Sequence, residues 1–205
     1  MARTPMRAWL RPLLCCFAAR CAAPRADDPD RFLPGNLKLR KALDTATKLT
    51  SYPRYREEIE RLRQLYAHRI NVLPDEPTAD GVNPTCYAFA LGLANNQRYR
   101  RLILERATAT TLIDTAFTNT LISKQELRPR ASQAQVSDVV LYFDNGRLRH
   151  AGVLIALDGM VRSKWGPNEI HEHPLWEVPL SYGNTSAIYI APDPSRVLAL
   201  VEDAT

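Results

Sequence analysis

At 205 residues, 45% of them hydrophobic and 24% charged, the chain has room for one ordinary globular domain with a sizeable core. Its net charge of +5 resides at the start: residues 1–26 carry five of the 27 basic residues (Arg3, Arg7, Arg11, Arg20, Arg25) and no acid, and from Asp27 onward 22 basic residues balance 22 acidic ones. That balance offers no support for a nucleic-acid surface, and no run approaches the ~18 apolar residues of an integral membrane span.

Residues 1–35 read as a basic leader and linker. The Arg-rich, acid-free start with Leu13-Leu14-Cys15-Cys16-Phe17 has the character of a weak secretory signal but equally suits a basic amphipathic helix, an organelle-type presequence or a disordered start, so the location stays open between secreted or periplasmic and cytoplasmic. Three of the four cysteines (Cys15, Cys16, Cys21) lie there. Cys86 is the single thiol beyond it, so the body holds no internal disulfide and rests on packing.

A helical subdomain is expected over 36–78. Asn36 caps a helix that aligns Leu39, Leu43 and Ala46, and Ser51-Tyr52-Pro53 starts a second that aligns Tyr55, Ile59, Leu62 and Tyr66. A loop over 75–82 leads to Asn83-Pro84-Thr85-Cys86, where Asn83 suits an N-cap and Pro84 the first helical position, which puts Cys86 in the first turn. Gly92 is a weak spot in that helix unless something packs closely on it. From Asn95 to Val136 the pattern mixes helix with irregular structure.

Strands follow. Val139–Phe143 reads as a buried strand and Asp144-Asn145-Gly146 as a hairpin turn. Residues 148–157 form the next strand, Asp158-Gly159 turns it, and 160–165 returns. Residues 187–190 close the sheet, and Asp193-Pro194 opens a last helix. Helices first and a meander afterwards predict an α+β fold, with an antiparallel sheet packed on the cysteine-bearing helix over 79–205.

A thiol in the first turn of a helix and a histidine on a strand are the parts of a cysteine nucleophile and its base. His150 takes the second role on the alternating strand, sharing a face with Leu148, Gly152 and Leu154, and Gly152 leaves open space beside the ring. A two-residue turn would set Leu154 against Ser163 and bring Ser163 to the same face as the group that orients the imidazole. A single bulge would deliver Arg162 or Lys164 there instead.

Ser137-Asp138-Val139-Val140-Leu141-Tyr142, His150-Ala151-Gly152-Val153, Ser163-Lys164-Trp165-Gly166 and Val178-Pro179-Leu180-Ser181-Tyr182-Gly183 together resemble the NlpC-type and CHAP-type branches of the papain-like superfamily. They are closer still to uncharacterised bacterial members with N-x-x-C, H-x-G-V and S-K-W-G motifs. The resemblance spans roughly 80–191 and implies a papain-like fold and a cysteine peptidase or amidase acting on a peptide or other amide-containing substrate, without a cofactor. Cys86 and His150 match the nucleophile and base. Ser163 is the expected third catalytic residue, and Asn83, Lys164 and Trp165 are the expected substrate-binding residues. Three departures stand out: Thr85-Cys86-Tyr87 replaces the usual Asp-Cys-Ser, the usual third polar residue, often His, Asn or Gln, is missing at its expected place, and Ser137 stands where glycine commonly precedes D-V-V. The alternatives are an inactive papain-like binding domain, or a zinc-dependent hydrolase using His150, His171 and His173, with the last two on a polar loop.

Overall fold

Apolar spacing builds the first two helices. The computed structural model describes residues 34–74, 81–106, 112–166 and 169–204; most of the expected leader (1–33) and loop residues 75–80 lie outside the described residues. Helix α1 (Pro34–Ala46) begins at Pro34, two residues before the expected cap, and buries Leu39, Leu43 and Ala46. Helix α2 (Tyr52–Tyr66) buries Tyr55, Ile59 and Leu62, each one helical turn from the last. The chain continues through β1 (Asn71–Leu73), α3 (Cys86–Ala90), α4 (Gln97–Glu105), α5 (Thr115–Ser123) and β2 (Arg128–Pro129). Then come β3 (Val139–Asp144), β4 (Arg147–Ala156), β5 (Met160–Lys164), β6 (Ile170–Pro174), a 3-10 turn (Leu180–Tyr182), β7 (Thr185–Ile190) and α6 (Pro194–Asp203).

The strands form one antiparallel sheet in the order β1-β6-β5-β4-β3-β7-β2. The fold is α+β. Among the described residues no helix is long and apolar enough to cross a membrane.

Both faces of the sheet are covered, because side chains alternate along each strand. Val139 and Leu141 of β3 join Ala151, Tyr189 and residues of α3 to α6 in one core, whereas Val140 and Tyr142 join Leu154, Val161, Trp165 and residues of α1 and α2 in the other. The stretch expected as a helical subdomain thus shares a core with the sheet, and β1 extends that sheet by pairing with β6.

Two local irregularities set which way site residues point. Between β3 and β4, Tyr142 pairs with His150 but Phe143 with Leu148, so Arg149 is an extra residue. The bulge reverses the alternation: Leu148 packs into the first core, away from the face expected to be shared with His150, while Leu154 stays on the second. In the β4–β5 hairpin, Ala156 pairs with Met160 across a three-residue turn, and Ser163 falls opposite Gly152, not Leu154. Gly152 therefore opens no space. A Cβ there would sit 2.6 Å from Val161 Cγ1 and 2.9 Å from Ser163 Cβ.

Candidate functional site

Cys86 is the first residue of α3, and Thr85, not Asn83, caps it. The Thr85 hydroxyl accepts from the Ala88 N–H at 3.1 Å and donates to the Ile113 carbonyl at 2.7 Å. Asn83 is exposed two residues before that cap. The helix is brief because Gly92 ends it. With φ of 75° it lets the Gly92 and Leu93 N–H groups reach back to the Phe89 and Ala88 carbonyls, and a Cβ at Gly92 would lie 2.9 Å from Pro194 Cγ. Gly92 is thus the stop of α3 rather than a weak point inside it.

Helix α3 packs on β4 and β5. The pairing of β5 with β4 reaches only Gly152↔Ser163, and the Cys86 thiol lies against the backbone of Ala151 just beyond it. Burial pushes the thiol up to about 11, against the smaller downward pull of the Ala151, Tyr87 and Cys86 backbones. Cys86 packs with the first core, whereas the ring neighbours of His150 belong to the second.

His150 is 1% exposed, stacks on Tyr182 at 3.9 Å between ring centroids and tilts against Tyr142 at 5.6 Å. Its Nε2 is buried with no hydrogen-bond partner. Burial, then the charges of His173 and His171, hold the imidazole well below its usual value, so it is neutral. Tyr182 connects the two halves of the site: it stacks on His150, and its hydroxyl is held well above the ordinary range by burial and then by the nearby Cys86 thiol.

The His171-Glu172-His173 stretch is strand β6, not a polar surface loop. Both imidazoles point inward and are fully buried. Their inward alternation carries no apolar signal, which is why the strand was not legible. Chemistry fixes the protons around His173. Trp165 Nε1 only donates, at 2.9 Å, to Ser163 Oγ; Ser163 Oγ lies 2.8 Å from His173 Nε2; and His173 Nδ1 lies 2.9 Å from the Pro174 carbonyl, which only accepts. The hydrogen bonds therefore run Trp165 to Ser163 to His173 to Pro174, with His173 neutral and protonated on Nδ1. Burial lowers it to about 4.

Ser163 does share a face with His150, but its hydroxyl is committed to His173 and Trp165. Trp165 is fully buried, stacked on His171 at 4.1 Å, and lines no open groove. Lys164 is 2% exposed; burial first and then the charge of His173 hold His171 well below its usual value, with a smaller pull from Lys164. Tyr55 Oη, from α2, meets His171 Nε2 at 2.5 Å. Among the described residues no group of three or more His, Cys, Asp or Glu side chains is arranged to hold a metal ion, although His150, His171 and His173 share one face. Ser163 and the Pro174 carbonyl occupy both nitrogens of His173, and the Tyr55 hydroxyl occupies Nε2 of His171.

Helix α1 anchors the segment that carries Tyr182. Arg40, fully buried, donates from Nε to the Val178 carbonyl at 3.1 Å and from Nη2 to the Gly183 carbonyl, with its guanidinium 5.4 Å from the Trp176 ring. Burial lowers it to about 10. Asp44 Oδ1 accepts from the Ser181 N–H at 3.0 Å and from its hydroxyl at 2.6 Å. At Gly183, φ is 123° and a Cβ would collide with the Phe143 carbonyl, so the position requires glycine. Tyr182 was readable from V-P-x-x-Y-G; Arg40 and Asp44 gave no such signal, since each looks like an ordinary charge on an amphipathic helix.

A family described as "Domain of unknown function (DUF7689)" matches residues 80–190, more than half of the chain. The chain belongs to that family. The DUF7689 span takes in Cys86, the strands from β2 to β7 and the Tyr182 segment, and leaves α1, α2, β1 and α6 outside. No curated protein and no solved structure matches the chain.

Proposed function

We propose that this protein is a papain-like cysteine hydrolase, a peptidase or amidase, in which Cys86 is the nucleophile and His150 the base that takes its proton and returns it to the leaving group. The carrying observation is the unpartnered, buried Nε2 of His150, on the residue next to the backbone against which the Cys86 thiol lies. A buried polar atom without a partner is costly, and catalytic hydrogen bonds commonly tighten only when substrate is bound. Tyr182, in contact with His150 and within electrostatic reach of Cys86, supports a common site. At rest the pair is a neutral thiol and a neutral imidazole, and the proton moves as sulfur attacks the carbonyl carbon. Ser163 belongs to the His173 relay, so no orienting role on His150 is assigned to it.

Alkylation of Cys86 by iodoacetamide as a function of pH, read on the Cys86 peptide by mass spectrometry, tests the pair. Burial, less the smaller downward pull of the Ala151, Tyr87 and Cys86 backbones, sets the thiol at about 11. The expected profile lies well below that value and moves up in His150→Ala. A titration near the burial-set value in both proteins would overturn the hydrolase. That outcome would favour the second reading, a papain-like domain that binds without catalysing. The depth at which His150 is buried is what speaks for it.

A further inference from the structure

The site proposed above is shut. His150 is 1% exposed and Tyr182 lies over its ring at 3.9 Å, so a substrate carbonyl cannot enter beside the imidazole unless Tyr182 moves. Tyr182 sits on the strap 178–183 between β6 and β7, whose own backbone bonds are local turns: Tyr182 N–H to the Pro179 carbonyl and Gly183 N–H to the Leu180 carbonyl, both 3.1 Å. Regular sheet bonding resumes at Asn184, whose N–H donates to the Phe143 carbonyl at 2.9 Å. The strap's long-range polar anchors come from α1, a helix outside the matched DUF7689 span: Arg40 to the Val178 and Gly183 carbonyls, and Asp44 to the N–H and hydroxyl of Ser181.

We propose that α1 is an inhibitory latch: Arg40 and Asp44 hold the strap closed over His150, with Tyr182 near the Cys86 thiol, and release of the strap admits substrate. The inference rests on the cysteine-hydrolase reading and concerns regulation of that site. The latch is graded in strength. Arg40 is fully buried, whereas the Asp44–Ser181 bonds lie at an exposed position where water competes for both partners. The exposed half yields first, freeing Ser181 and the adjoining Tyr182 while Arg40 keeps the ends at Val178 and Gly183. Opening is then a local event that swings one aromatic ring off the imidazole and leaves the sheet intact.

Iodoacetamide labelling of Cys86 in the full chain, followed at increasing sub-denaturing urea, reads this opening. The three leader cysteines are separated from Cys86 by peptide mapping. Local opening exposes little surface, so the wild-type labelling rate is expected to be nearly flat at low urea, whereas labelling through global unfolding rises steeply. Asp44→Ala removes two surface hydrogen bonds and is expected to raise the rate about ten-fold while the urea dependence stays flat. Arg40→Met is expected to raise it further; if that variant fails to fold, Asp44→Ala alone decides. An unchanged rate in a folded Asp44→Ala protein overturns the latch, and so does a steep urea dependence in either protein. The two proposals fail separately. Faster labelling in Asp44→Ala with a pH profile indifferent to His150→Ala keeps the latch and removes the hydrolase.

Discussion

Acidification should loosen the sheet from α1 and α2, because the face between them is filled with neutral histidines. His173 is the measurable case, since burial holds it at about 4 against an ordinary 6.5. As pH falls through 6.5 the unfolded chain binds this proton and the folded chain does not. The stability that neutral His173 contributes is therefore fully present above 6.5 and is lost progressively toward about 4. At about 1.4 kcal/mol per pH unit, the gap between those values amounts to about 3 kcal/mol, a large part of an ordinary domain's 5–15 kcal/mol. His150 and His171 are lowered in the same direction by burial first and add to the loss. Glu169, which burial raises to about 7, takes up its proton in the folded state first and offsets part of it. Urea denaturation from about pH 7 to about pH 4 measures the slope, and His173→Gln isolates the one proton. The glutamine carbonyl still accepts from Ser163, so the relay survives while the slope near pH 5 falls by about 1.4 kcal/mol per pH unit. A stability that is flat across this range, or an identical slope in His173→Gln, refutes the reasoning.

Three further outcomes test the packing that forms the site. Ser137 is exposed with φ of 76°, in the left-handed region that favours glycine, so Ser137→Gly is expected to stabilise the protein by about 0.5–1 kcal/mol and raise its Tm; a lower Tm contradicts this. Gly152→Ala forces a Cβ against Val161 Cγ1 and is expected to cost about 1–3 kcal/mol, partly restored by adding Val161→Ala; the absence of coupling in that double-mutant cycle would show that the close approach is not the cause. Arg40→Met keeps the apolar stem beside Trp176 but strips the Val178 and Gly183 carbonyls of their donor, for an expected loss of about 2–4 kcal/mol by urea denaturation; a loss within experimental error would mean that the strap holds without it.

The departure of Ser137 from the usual glycine shows how far sequence could reach. The motif marks the position, and the backbone supplies the reason: Ser137, two residues before β3, takes a positive φ so that its N–H can donate to the Leu154 carbonyl at 2.8 Å. Asp138 then turns inward to pair with Arg130 and to accept from the Gln135 N–H at 2.7 Å. Elements whose buried positions are apolar were readable: the stripes of α1 and α2, the run of β3, and the Asp193 cap of α6, which accepts from the Ser195 N–H at 2.8 Å. Those whose buried positions are polar were not. Strand β6 hides behind His171 and His173, and β1 and β2 are too short to show a period.

From sequence alone came the single body thiol beside a helix start, the histidine on a strand, the charge balance beyond residue 26 and an α+β order of elements. Those are properties of local spacing and composition. Only the tertiary structure decided which way the histidine faces, because one extra residue at Arg149 reverses every side chain beyond it. It also decided that Ser163 serves His173, since the hairpin's three-residue turn sets the register, and that Tyr182, held from α1 by Arg40 and Asp44, covers His150. Hydrogen bonds from residues about 140 positions away leave no periodic trace in a sequence; they arise only when packing brings α1 and the strap together.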